Sequence, residues 1–178
     1  MKTKTLVVGA LLAVMAAFFQ VMPVLFSEAF IIITIFSAVP IYIVSRINPK
    51  AGALSYFVAA MLVMLISTHE GLFFLCTNGI IGVSLGTCRY YTNKKTVIWA
   101  ISTLALTITL SIMNYGIGVP VFGTIIPGAM IIQLAVLFMF SLVYNIIYYY
   151  FSDFIFKMLK GRGCWQLSFG HNPSIYTR

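Results

Sequence analysis

The short stretch RINPK (46–50) decides how this chain is read, because it is the charged punctuation between two long apolar runs. Before it lies AFIIITIFSAVPIYIVS (29–45) and after it AGALSYFVAAMLVMLIS (51–67), and neither run contains a charged residue. Each is close to the roughly 20 residues that a helix needs to cross a hydrocarbon core about 30 Å thick. The same punctuation recurs along the chain. Lys2 and Lys4 form one basic cluster, Arg89, Lys94 and Lys95 another, and Lys157, Lys160 and Arg162 a last one, leaving only the terminal Arg178 outside. The interval between clusters is each time about two spans long, and Glu28 and Glu70 fall near the midpoints of the first two intervals. Basic residues mark cytoplasmic loops, so every cluster is expected inside and every midpoint outside. The expected fold is an all-α membrane protein with six transmembrane helices in three hairpins and both termini cytoplasmic.

Composition agrees. The chain is 61% hydrophobic and only 8% charged, with a mean hydropathy of +1.04, values outside the range of soluble domains. The formal charge of +8 would suggest nucleic acid in a soluble protein. Here the basic residues sit at span ends, where they orient helices and meet anionic lipid, and no nucleic-acid partner is expected. Cys76, Cys88 and Cys164 have neither CxxC spacing nor accompanying histidines, so no metal site and no disulfide framework is expected.

The spans are placed at Thr5 to Phe26, Ala29 to Ser45, Ala51 to Ser67, Gly71 to Cys88, Val97 to Met113 and Ile125 to Phe151. The second, third and fourth are short and should stand nearly upright, whereas the last is long enough to tilt or project. Tyr42, Tyr90, Tyr91, Trp99 and Tyr148 to Tyr150 fall near the basic clusters, as an aromatic belt would. A cleavable signal at the start competes with this reading, but no polar region follows the possible cleavage point, and insertion without cleavage is simpler. Residues 1–160 form a single domain on this reading, and 161–178 a short polar cytoplasmic tail.

Two small-residue faces stand out. Gly79, Gly82 and Gly86 share a stripe in the fourth span, and Gly9, Ala13 and Ala17 recur every four residues in the first. Such faces let another helix backbone approach closely. Gly82-Val83-Ser84-Leu85-Gly86 matches G-x-S-x-G formally, but His69 lies fifteen residues away, about 22 Å along a helix, so no catalytic residues are expected. Polar groups gather elsewhere. Glu28, His69, Glu70, Asn114 and Tyr115 fall at the outer ends of the hairpins, and Gln20, Asn78, Gln133 and Asn145 lie inside spans, where an amide needs a partner or a cavity. The segment 116–128 has too much Gly and Pro for a plain helix and is read as an outer cap or a re-entrant stretch.

Gly9-Ala10-Leu11-Leu12-Ala13 in the first helix, Pro40-Ile41-Tyr42 ahead of Arg46, and Gly71-Leu72-Phe73-Phe74 leading to Asn78-Gly79-Ile80-Ile81-Gly82 and Gly86 carry a further likeness. Across residues 5–160 the chain resembles the substrate-binding S components of energy-coupling-factor transporters, in particular the YybS-like membrane proteins of that fold. The resemblance implies capture of a vitamin or similar scarce nutrient from outside, with uptake energised by a separate transmembrane coupling protein and ATPases. It implies that Ala13 and Ala17, with Gly9 one turn earlier, dock the coupling protein. It also implies that Glu28, His69, Glu70, Asn78, Asn114, Tyr115 and Gln133 hold the ligand near the outer side. No cofactor is implied, and no phosphate-binding G-x-x-x-x-G-K-[ST] occurs in the chain, consistent with ATPases on other subunits. The expected location is the plasma membrane. The alternative is a non-transporting scaffold of the cell-envelope or cell-shape machinery, whose small-residue faces bind partner proteins.

Overall fold

A computed structural model describes residues 3–119 and 130–161, the side chains of Glu28 and Lys160 excepted. Every element in these residues is helical, and six stretches are long and apolar enough to cross a membrane. The first span is α1 (Thr3–Leu25), which ends two residues after Pro23, where the helical N–H ladder is interrupted. The second opens as a 3-10 helix over Glu28–Ser37 and continues as α2 (Ala38–Ile47). A single residue, Asn48, connects it to α3 (Pro49–Ile66). Its Oδ1 accepts from the N–H groups of Lys50 and Ala51, and Pro49 supplies a preset φ at the first helical position.

Ser67 is an equally short link, capping α4 (Thr68–Cys76) by accepting from Glu70 N. Ser67-x-x-Glu70 has the form of a capping box, in which the glutamate would reach back to the cap residue's own N–H. That N–H instead donates to Val63 O at 2.9 Å, and the Glu70 carboxylate turns toward α1. After Thr77 the chain restarts as α5 (Asn78–Tyr91). The fifth span is α6 (Lys95–Ser111), extended by a π-helical turn over Ile112–Ile117 that ends at Gly118 with φ of 77°. The last is α7 (Met130–Gly161).

Three of the expected helices are thus less regular than hydropathy suggested. The fourth span is broken at Thr77 rather than continuous from Gly71 to Cys88. The second begins as a 3-10 helix, and the sixth runs ten residues past Phe151. The expected start of that span at Ile125, residues 120–128 of the cap segment 116–128 and the tail from 162 onward lie outside the described residues.

The centre of the bundle is α2, buried on every side from Ala38 to Ser45, as expected of a helix that is apolar all round. One flank is α5. A Cβ on Gly82 would lie 2.6 Å from Ala38 O, and one on Gly86 would lie 2.7 Å from Tyr42 O. The expected glycine stripe is therefore a packing face within the chain, with Gly79 set against the Tyr56 ring. The other flank is α1 with α3. Ala13 is fully buried and Ala17 is 7% exposed, and Ser55 of α3 donates to the Gly9 carbonyl at 3.0 Å. Of the two uses expected of Gly9, Ala13 and Ala17, packing is the one observed. These three residues are buried against the chain's own helices, α3 among them. On the far side, α6 and α7 pack as a hairpin.

One end of the bundle gathers the basic clusters. Arg46 Nη1 donates to Asp153 Oδ1 at 2.7 Å and to Tyr42 OH at 2.9 Å, and Lys157 Nζ lies 2.9 Å from Asp153 Oδ2. The Arg46 guanidinium also lies over the Phe156 ring at 3.9 Å, and Lys95 stands 5.6 Å from the Tyr150 ring centroid. The second, third and fourth basic clusters therefore share one end, as the hairpin reading requires.

Candidate functional site

Toward the opposite end the spans part around a cavity of about 460 Å³, a volume within the usual range for small-molecule sites. It lies where two backbone irregularities, the 3-10 segment of the second span and the break at Thr77, meet the upper part of α6. Irregular backbone at membrane depth is tolerated where protein or a cavity surrounds it and neighbouring side chains satisfy the freed groups. That is the arrangement at Thr77. The Leu75 carbonyl accepts from Tyr56 OH and the Cys76 carbonyl from Thr109 Oγ1, each at 2.9 Å, while Thr77 Oγ1 donates back to Phe73 O.

The floor is a polar network contributed by separate spans. Gln20 of α1, 2% exposed, accepts at Oε1 from Ser37 Oγ at 2.9 Å and from Asn78 Nδ2 at 3.1 Å. Its own Nε2 donates to Glu70 Oε2 at 2.9 Å. Asn78 also donates to the Thr34 carbonyl at 3.0 Å, and its Oδ1 accepts from Tyr144 OH at 3.2 Å. Nearby, Tyr148 OH donates to the Ile35 carbonyl at 2.6 Å. The 3-10 segment thus meets side chains from α5 and α7 at adjacent carbonyls. Five parts of the chain, α1, the 3-10 segment, α4, α5 and α7, converge on one buried knot.

The walls are mainly apolar and aromatic: Ile81, Leu106, Leu110, Phe73, Phe140 and Tyr144. Exposure rises from buried Gln20 and Asn78, through half-buried Glu70, to exposed His69, which puts the mouth at the short α3–α4 link. His69 stacks edge-on against Phe73, with ring centroids 4.7 Å apart.

Of the residues expected to bind a ligand, His69, Glu70 and Asn78 come together here. Tyr115 and Gln133 do not line the cavity; they meet each other, Tyr115 OH donating to Gln133 Oε1 at 2.6 Å. Asn114 is half-buried on the π turn and away from the cavity lining. The Glu28 side chain lies outside the described residues. Asn145 is fully buried on α7 and donates to the Ser141 carbonyl of its own helix. Gln20 stood out in the sequence as an amide inside a span, but only the fold makes it the hub. Tyr144, Thr34 and Phe140 gave no signal of their own, because an aromatic or a threonine in a membrane helix is ordinary.

The Ser84 hydroxyl donates to Ile81 O of its own continuous helix, so the G-x-S-x-G match does not sit on the strained turn that a serine nucleophile needs. Among the described residues no three of His, Cys, Asp and Glu come together as a metal site would require. The cavity has polar groups at its floor and mouth and apolar side chains along its walls. Comparison of the chain with protein-family models, with curated proteins and with solved structures gives no match.

Proposed function

We propose that this chain is the substrate-binding membrane subunit of an importer for a vitamin or similar small nutrient, energised by separate coupling and ATPase subunits and similar to the S components of energy-coupling-factor transporters. The observation that carries the proposal is the cavity floored by the Gln20–Glu70–Asn78 network. Five parts of the chain supply its polar groups, and a ligand there would touch most of the bundle at once. The positive-inside rule supports the direction, since the cavity lies at the end remote from the basic clusters, which the rule puts outside the plasma membrane, with both termini cytoplasmic. A binding subunit without a nucleotide motif of its own needs such partners. Because Ala13 and Ala17 are buried within the chain's own bundle, the coupling protein would dock on another surface.

The test is gentle purification of the full chain from its own membrane, followed by mass spectrometry of what accompanies it. A bound small molecule that is lost in Asn78→Leu, together with coupling and ATPase subunits, is the expected result. Recovery with cell-envelope or cell-shape proteins and no small molecule would refute transport and favour the scaffold reading.

A further inference from the structure

We propose that the occupant of the Gln20–Glu70–Asn78 cavity is a small organic cation, a protonated amine whose N–H groups bind the Glu70 carboxylate while its apolar body lies against Phe73, Phe140 and Tyr144. This rests on reading the cavity as a ligand site and adds the charge of the ligand.

The inference comes from counting hydrogens around the cavity. Both amide hydrogens of Asn78 are engaged, one on Gln20 Oε1 and one on the Thr34 carbonyl. The Tyr144 hydroxyl donates to Asn78 Oδ1, that of Thr34 to the Ile31 carbonyl, that of Thr77 to the Phe73 carbonyl, and that of Ser37 to Gln20 or the Thr34 carbonyl. Gln20 Oε1 is held by two donors, which fixes the amide so that Nε2 points at Glu70. The donors are thus turned inward, onto the protein itself.

What remains for a ligand is acceptor capacity. An ionised carboxylate offers about four lone-pair sites, and Glu70 receives the Gln20 amide but has no Lys, Arg or His ion-pair partner among the described residues. Its local partner in a capping box, the Ser67 N–H, is bonded to Val63 instead. The carboxylate therefore keeps acceptor capacity in the cavity lining, which the N–H groups of a cationic ligand can use. The rings of Phe73, Phe140 and Tyr144 along the cavity wall suit the same charge, since the face of an aromatic ring attracts cations within about 6 Å. An anion would meet Glu70 with little more than the second Gln20 hydrogen and His69 to hold it.

Tryptamine and indole-3-acetate share an aromatic frame and carry opposite charges, so they serve as probes. Binding of each to the full chain in detergent micelles is measured by calorimetry at neutral pH, for the native sequence, Glu70→Gln and Glu70→Asp. The glutamine variant keeps an oxygen for Gln20 Nε2 but loses the charge; the aspartate variant keeps the charge. Tryptamine is expected to bind about 10-fold or more tighter than indole-3-acetate, as one desolvated charge contact allows. Glu70→Gln should abolish that preference and Glu70→Asp should retain it. Equal or tighter binding of indole-3-acetate, an unchanged preference in Glu70→Gln, or no tryptamine binding at millimolar concentration would each overturn the proposal. A neutral or anionic molecule recovered bound to the purified chain would overturn it too, while leaving the importer reading intact.

Discussion

Gly82 and Gly86 are glycines because backbone of α2 occupies the space a side chain would need. Replacing Gly86 by alanine puts a carbon 2.7 Å from Tyr42 O, and overpacking of that kind costs about 1–3 kcal/mol. Gly86→Ala should therefore lower the midpoint of unfolding in sodium dodecyl sulfate, whereas Gly116→Ala, whose nearest neighbour would be 3.6 Å away, should shift it little. Asn78→Leu acts differently, removing the acceptor of Tyr144 and one donor to Gln20 at once. Leaving buried polar groups unpaired costs about 1–3 kcal/mol each, so its unfolding midpoint should fall at least as far as that of Gly86→Ala. At this scale the sequence was legible in part. Amides and glycines inside an apolar span are conspicuous, and Gln20, Asn78, Gly82 and Gly86 could be picked out. Which carbonyl or hydroxyl each would meet depends on partners 17 to 66 residues away, and local sequence carries no record of them.

The least legible element is the fourth span. Hydropathy averages over a window, and Thr77-Asn78 is too small an interruption to register in a stretch of mean hydropathy 1.5. The break persists because side chains from α3 and α6 accept the role of the missing helical donors. Tyr56→Phe and Thr109→Val should each destabilise the protein by roughly 0.5–1.5 kcal/mol, and because they serve adjacent carbonyls the double variant should depart from additivity in a double-mutant cycle. A strictly additive result would mean that the two carbonyls are satisfied independently. α2 and α7 are joined chiefly by the Arg46–Asp153 ion pair, which neither helix's composition implied. Asp153→Ala would leave Arg46 mostly buried without its anion, a loss between the ~1 kcal/mol of an exposed pair and the ~3–5 kcal/mol of a buried one. Asp153→Glu should recover most of it, as read from the same unfolding midpoints.

For the whole molecule, the rhythm of basic clusters and apolar runs was enough to count the spans and pair them into hairpins, because burial in lipid constrains every residue of a span alike. The rhythm could not say that α2 would be central or that five parts of the chain would converge on one cavity, since packing order is set by shape. Orientation can be checked directly. On a cysteine-free background, Ser27→Cys should react with a membrane-impermeant maleimide in intact cells, and Asn93→Cys only after permeabilisation; the reverse pattern would invert the proposed sidedness. The length of α7 adds a consequence of its own. Its 32 residues make a rod about 48 Å long, and spanning 30 Å by tilt alone would require about 50°, beyond the 0–40° that membrane helices show. Asp153 stands roughly 35 Å along this rod from Met130, just past the thickness of a typical hydrocarbon core, so its pairing with Arg46 depends on where the bilayer ends. In vesicles of progressively longer-chain lipid the protein should lose stability once that pair is drawn below the headgroups, and Asp153→Asn should flatten the dependence.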